Sequence, residues 1–253
     1  MGRPSPSPAA QALPPGACLT GLLLIGAALI GCNPDPGEPA EQVGYRAGTA
    51  DATSGERGTV KITEVLWTGS STGPGLRDRD DVFIELRNEG AMPVNVRRWF
   101  LIIDGVMQRG WSIPDTDLVI EVGQHIFIAA KSTGCFPEPD LLMPELTFPD
   151  GDPFELTLMD ADERLIEPIG DTEMPPLAGT WDTVRVRSME RIELMFGGQG
   201  TDPQAWHHYT AAAVDIPNND RVAEGPCRDY TLASPGRPNS PDYSGAFASG
   251  NLE

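Results

Sequence analysis

The stretch Asp81–Asp104, DVFIELRNEGAMPVNVRRWFLIID, decides how the chain is read. Two apolar runs, Val82–Arg87 and Val94–Ile103, flank a short polar connection, Asn88-Glu89-Gly90-Ala91-Met92-Pro93. Val82, Ile84 and Leu86 recur at every second position, the period of a strand with one buried face. Asn88 and Gly90 tolerate positive φ, and Pro93 fixes φ and lacks a donor, so pairing is expected to resume after it. The spacing predicts a hairpin. The unbroken apolar run Trp99-Phe100-Leu101-Ile102-Ile103 predicts that its second strand crosses the centre of a core.

Downstream, the same alternation predicts strands at Leu118–Val122, Gln124–Ala130, Phe154–Met159, Val184–Val186 and Arg191–Phe196. No segment after Cys32 has the spacing of a long amphipathic helix, and Ala205–Val214 has room for one or two helical turns. Many short strands punctuated by Gly and Pro predict an all-β sandwich, one domain spanning residues 59–241. Two connections, Lys131–Asp152 and Pro168–Asp182, are crowded with proline and acid and longer than ordinary sandwich loops. Loops of that kind on a rigid scaffold are where a binding surface is expected.

Several pieces of the chain resemble one family. Ile84-Glu85-Leu86-Arg87-Asn88, then Val94-Asn95-Val96 and Trp99, is similar to the "E-L-x-N … V-x-L-x-x-W" signature of lamin tail domains, with Val96 where the family usually has Leu. Val60-Lys61-Ile62-Thr63-Glu64-Val65 resembles the family's opening strand. Ser188-Met189-Glu190-Arg191-Ile192 resembles its "S-L-E-R" segment, with Met for Leu. Trp206 and Ser234-Pro235-Gly236-Arg237-Pro238-Asn239 resemble its "W … S-P-G-x-P-N" ending. The resemblance spans about Thr59 to Asn239 in the family's order. It implies an immunoglobulin-like sandwich and a mostly non-enzymatic function. Lamin tail domains in bacteria often accompany nuclease or other hydrolase domains, which adds to the alternative, a hydrolase accessory or a divalent-cation-dependent hydrolase using loop carboxylates.

Residues 1–31 carry one charge, Arg3, and the run Ala17–Ile30 carries none. That run is short for a membrane span and suits the apolar region of a secretory signal. It ends in Leu29-Ile30-Gly31-Cys32, which resembles the bacterial lipoprotein box. The resemblance implies cleavage before Cys32, lipidation of that cysteine and, because Asn33 is not Asp, residence in the outer membrane. Several acyl chains anchor a protein stably where one holds it only marginally. Residues 32–58, rich in Pro, Gly, Ala and acid, read as a flexible tether, and 242–253 as a C-terminal tail.

Loss of the leader removes Cys18 and lipidation uses Cys32, leaving Cys135 and Cys227. In an exported protein such a pair is expected to form a disulfide. Closing a loop of that length is worth about 4–5 kcal/mol by chain-entropy reasoning. The formal charge is −19; without Arg3, 17 basic residues face 37 acidic ones, or −20. No basic face is available for nucleic acid, so membrane attachment is expected to rest on the lipid and not on charge.

Loop acids offer the one metal hypothesis. Asp80 and Asp81 precede one predicted strand, Asp150 and Asp152 another, and a hard cation such as Ca²⁺ takes six to eight oxygens. The spaced EF-hand pattern is absent, and solvated turn aspartates are the plainer explanation. Gly69-Ser70-Ser71-Thr72-Gly73 matches G-x-S-x-G formally, but Pro74 and Gly75 forbid the helix a nucleophile elbow needs. His207-His208 lacks the spacing of a zinc helix. Trp111 and Trp181 fall in or near loops and are the better candidates for surface contacts, with burial the plainer explanation; Trp99 and Trp206 match positions of the resembled family, which implies core packing. The expected function is non-catalytic binding or scaffolding in a bacterial envelope, with an unknown protein or polysaccharide as partner.

Overall fold

The computed structural model describes residues 58–192, 199–210 and 219–241. The apolar leader, Cys32, the tether up to residue 57 and the 242–253 tail lie outside the described residues. Ten strands build the two main sheets: β1 (Val60–Leu66), β2 (Phe83–Asn88), β3 (Phe100–Gly105), β4 (Arg109–Ser112), β5 (His125–Ala129), β6 (Leu141–Leu142), β7 (Phe154–Met159), β8 (Leu165–Asp171), β9 (Met189–Arg191) and β10 (Trp206–His208). The first sheet runs β6-β5-β2-β1-β9-β10 and the second β8-β7-β3-β4. Every pairing within them is antiparallel except β6 with β5. Ile62, Ile84, Leu86, Ile126 and Ile128 of the first sheet share one apolar core with Leu101, Ile103, Leu156, Leu158 and Ile169 of the second. The fold is an all-β sandwich.

The predicted hairpin is not one. β2 pairs with β1 and β5, whereas β3 pairs with β4 and β7, so the chain changes sheets between Asn88 and Phe100. Alternation reports which face a strand buries but not which strand lies beside it. Two strands facing each other across a core carry the same pattern as two strands side by side. The crossing is pinned by a two-residue ladder, Val94–Asn95 against Val119–Ile120, and by the Asn88 amide, which donates to the carbonyls of Met92 and Ile120. Trp99, just before β3, is fully buried as expected.

Other boundaries move for identifiable reasons. The strand expected over Leu118–Val122 shrinks to Val119–Ile120, and that over Val184–Val186 becomes Val186–Arg187. β8 includes Pro168, which was read as the start of a loop; β8 is an edge strand, where a residue without an N–H is tolerated. β4 is short and mostly exposed, and its only inward side chain is Trp111. Helical turns expected over Ala205–Val214 reduce to one 3₁₀ turn, Pro203–Ala205, capped by Asp202, before β10 begins; residues 211–218 lie outside the described residues. The strand expected to reach Phe196 ends at Arg191, and 193–198 are likewise not described.

β1 carries the irregularity on which the site depends. Its register against β2 shifts between Ile62 and Glu64, so Thr63 is an extra residue. Without that bulge, Glu64 would follow the period of Ile62 into the apolar core. With it, Ile62 and Val65 point inward, while Glu64 and Leu66 point to the outer face of the first sheet. Groups at the bulge find partners elsewhere: Ile62 N–H donates to Glu167 Oε2, Thr63 Oγ1 to Glu85 Oε1, and the Thr63 carbonyl accepts from Asn239 Nδ2.

That outer face is also covered. Leu66, Phe83, Phe127 and Ala129 pack under Cys135, Phe136, Val222, Cys227 and Ala233, with the three phenylalanine rings edge to face. The Cys135–Cys227 disulfide closes this second, smaller core, as the two lone cysteines predicted. A short helix, Pro226–Tyr230, supplies Cys227, and the chain then passes over the sheet from Thr231 to Pro241.

Candidate functional site

The predicted metal ligands are not gathered. Asp81 is fully buried, and its Oδ2 accepts from the Cys135 N–H at 2.7 Å; burial pushes its carboxyl above the ordinary range. Asp80 is exposed beside Lys131, at 3.9 Å. Asp150 is held by Arg77 at 2.8 Å and Arg79 at 3.4 Å, and Asp152 is exposed. Each acid is turned inward, left in solvent or engaged by a cation, a setting that opposes a divalent ion. Among the described residues no three His, Cys, Asp or Glu side chains stand where they could hold one, so the hypothesised Ca²⁺ ligands Asp80, Asp81, Asp150 and Asp152 do not converge. Ser71 of the G-x-S-x-G stretch lies in a two-residue strand with its hydroxyl on the Val184 carbonyl, a part-buried structural bond.

The two tryptophans divide. Trp111 is 7% exposed, lies opposite Leu101 and belongs to the core, so it offers no surface contact. Trp181 is 37% exposed, and the Arg77 guanidinium lies 4.6 Å from its ring centroid. Arg77 joins both long connections, holding Asp150 of the first and stacking on Trp181 of the second. Trp67 does likewise: its Nε1–H donates to Ala178 O, and Gly151 sits against its ring. Asp182, next to Trp181, is held below the usual carboxylate range by the N–H groups of Arg185 and Val184, so it carries charge there. Leu76, beside Arg77, is exposed. This end of the sandwich therefore presents an aromatic ring backed by a cation and edged by carboxylates, a surface that can stack and hydrogen-bond.

A second constellation escaped the sequence reading. The register places Glu85, Glu64 and Glu190 side by side on β2, β1 and β9, and His207 continues the row on β10. His125 Nδ1 lies 2.8 Å from Glu85 Oε1, and His207 Nε2 3.9 Å from Glu190 Oε2. All three glutamates are fully buried. Their cover is the Ser234–Ser240 strap. Ser234 N–H donates to Glu64 Oε1 at 2.8 Å, Gly236 N–H to Glu85 Oε2 at 2.6 Å and Ser240 N–H to Glu190 Oε2 at 3.1 Å. Asn239 Nδ2 bridges the carbonyls of Thr63 and Arg191. Burial, then the neighbouring charges of Glu190 and Glu85, holds the Glu64 carboxyl well above its ordinary range. Burial in the first place pushes Glu85 up to about 8.

Each glutamate belongs to a motif quoted for the family resemblance, and so does the strap, yet the motifs did not disclose that they meet. A glutamate in an alternating strand ordinarily marks the solvent face. The available signal was that Leu66 and Phe83 share that face, because a face carrying them is covered. The scan against protein-family models finds none that matches this chain, and the search of curated proteins finds no match.

Proposed function

We propose that the chain is an envelope lipoprotein, anchored through Cys32, whose sandwich is of the lamin-tail type and binds or scaffolds without catalysis. The residues that carry the family resemblance support this: Glu64, Glu85, Trp99, Glu190, Trp206 and the strap Ser234–Asn239 are occupied in holding the fold closed. The observation that carries the binding role is the exposed Trp181 stacked on Arg77, where the two long connections meet. An aromatic platform with carboxylates at its edge suits a polysaccharide or a polar protein surface of the envelope. An exported location agrees with a domain whose second core is closed by a disulfide.

Two measurements test the reading. Cys32→Ala is expected to move the protein from the membrane to the soluble fraction and to abolish labelling by a radioactive fatty acid. Trp181→Ala is expected to abolish retention of the protein on isolated envelope polysaccharide or on its cross-linked protein partner, with thermal stability unchanged. Equal retention of wild type and variant would remove Trp181 from the binding surface.

A further inference from the structure

We propose that the C-terminal strap, residues 234–241, is a proton-dependent latch: it closes over the first sheet only while the Glu64–Ser234–Glu190 bridge holds a proton. The proton follows from counting donors. Ser234 Oγ lies within hydrogen-bonding distance of Glu64 Oε2 (3.2 Å) and of Glu190 Oε1. A hydroxyl has one hydrogen to give, and two ionised carboxylates are acceptors only. Both contacts are hydrogen bonds only if one carboxyl is itself a donor.

The neighbours select Glu64. Glu190 Oε2 already accepts both the N–H and the hydroxyl of Ser240, because Thr210 spends its own hydroxyl on the Pro241 carbonyl and its N–H on Ser240 Oγ. Glu190 is thus furnished with donors, as a carboxylate requires. Glu64 Oε1 takes the Ser234 N–H, and the Ser188 hydroxyl, which also reaches the Leu232 carbonyl, lies beside the same carboxyl; a proton on Oε2 donates to Ser234 Oγ, whose hydrogen then goes to Glu190 Oε1. Loss of the proton would set an anionic Glu64 beside the carboxylate of Glu190 in a site closed to solvent, and such like-charge crowding is costly in low dielectric. The compensating cations are few. His125 faces Glu85 from β5 and His207 faces Glu190 from β10. Lys61 and Arg87 lie further along the same outer face, with Lys61 paired to Glu89. On the covering segment Arg237 pairs with Asp220 and Arg221 with Asp140. None of these pairs with Glu64. Swinging the strap away hydrates all three carboxylates, so deprotonation and opening are one event.

The test uses the full chain. Carboxyl ¹³C signals of glutamate-labelled protein are expected to show Glu64 and Glu85 protonated and Glu190 ionised near about pH 6, and amide protection at Ser234, Gly236 and Ser240, corrected for intrinsic exchange, is expected to fall about tenfold or more by about pH 9 while Ile84 and Leu86 keep theirs. Glu64→Gln supplies an amide N–H where the carboxyl supplied its O–H, and should keep the strap protected across that range. If Glu64→Gln does not fold, Glu190→Gln, which also removes one charge from the row, serves in its place with the same expectation. An ionised Glu64 near about pH 6, or strap protection equal at both ends of the range, would overturn the latch.

Discussion

At the scale of single residues, the buried acids set the pH response. Glu85 keeps its proton to about 8 in the fold, against a model-compound value of 4.5. Between those values the native state binds more protons than the unfolded one, so stability falls as pH rises through the window. The contribution is complete below about 4.5 and lost above about 8. Glu64, shifted in the same direction, adds to the slope. Surface carboxylates are already ionised over most of that window and contribute little to it. Denaturant midpoints are therefore expected to decline from about pH 5 to about pH 9, and Glu85→Gln to flatten the decline. A second residue-scale prediction concerns Gly134, where a Cβ would stand 2.2 Å from Asp81 Oδ2. Gly134→Ala must displace a buried carboxylate that binds the Cys135 N–H, at a cost of about 1–3 kcal/mol readable by chemical denaturation. Neither effect was legible in the sequence, because Asp81 and Glu85 look like any acids at strand positions until their covering segments are known.

At the scale of elements, the Thr63 bulge and the Glu167–Arg191 ion pair tie the two sheets together at one end. Glu167 on β8 takes the N–H that the bulge frees at Ile62 and also pairs with Arg191 of β9, which lies over the Trp206 ring. Removing one partner leaves a buried charge, so Arg191→Ala is expected to cost about 3–5 kcal/mol. The strand Phe154–Met159 was readable residue for residue from its alternation. The bulge was not, since an extra residue inside an apolar strand leaves no mark in composition. β4 and β8 were missed for related reasons: one has a single inward side chain and the other contains a proline. Trp111 illustrates the cost of missing β4. As a core residue, its replacement by Ala is expected to destabilise by about 3–5 kcal/mol, whereas a surface contact would lose almost nothing.

For the whole molecule, the sequence disclosed the class of fold, the disulfide and the region of the long connections, because each depends on local pattern or on counting. It did not disclose which strands are neighbours, because pairing between β1 and β9 joins segments more than a hundred residues apart. The Trp67–Arg77–Trp181 meeting point was out of reach for the same reason. Trp181→Ala should leave the unfolding free energy within about 0.5 kcal/mol of wild type, since the residue belongs to neither core. Reducing Cys135–Cys227 should instead cost about 2–5 kcal/mol and loosen the smaller core first, which hydrogen exchange at Phe83 and Phe127 would register.

The order in which the chain is made gives the strap a consequence for synthesis. A polypeptide emerges from its amino end, and the three glutamates are contributed well before residues 234–241 that shelter them. A product cut short anywhere upstream of Ser234 would leave these acids bare on a sheet that lacks its lid, and would be an easy substrate for proteases. Translation as far as Pro241 thus becomes a condition of survival, and only copies that include the strap should accumulate.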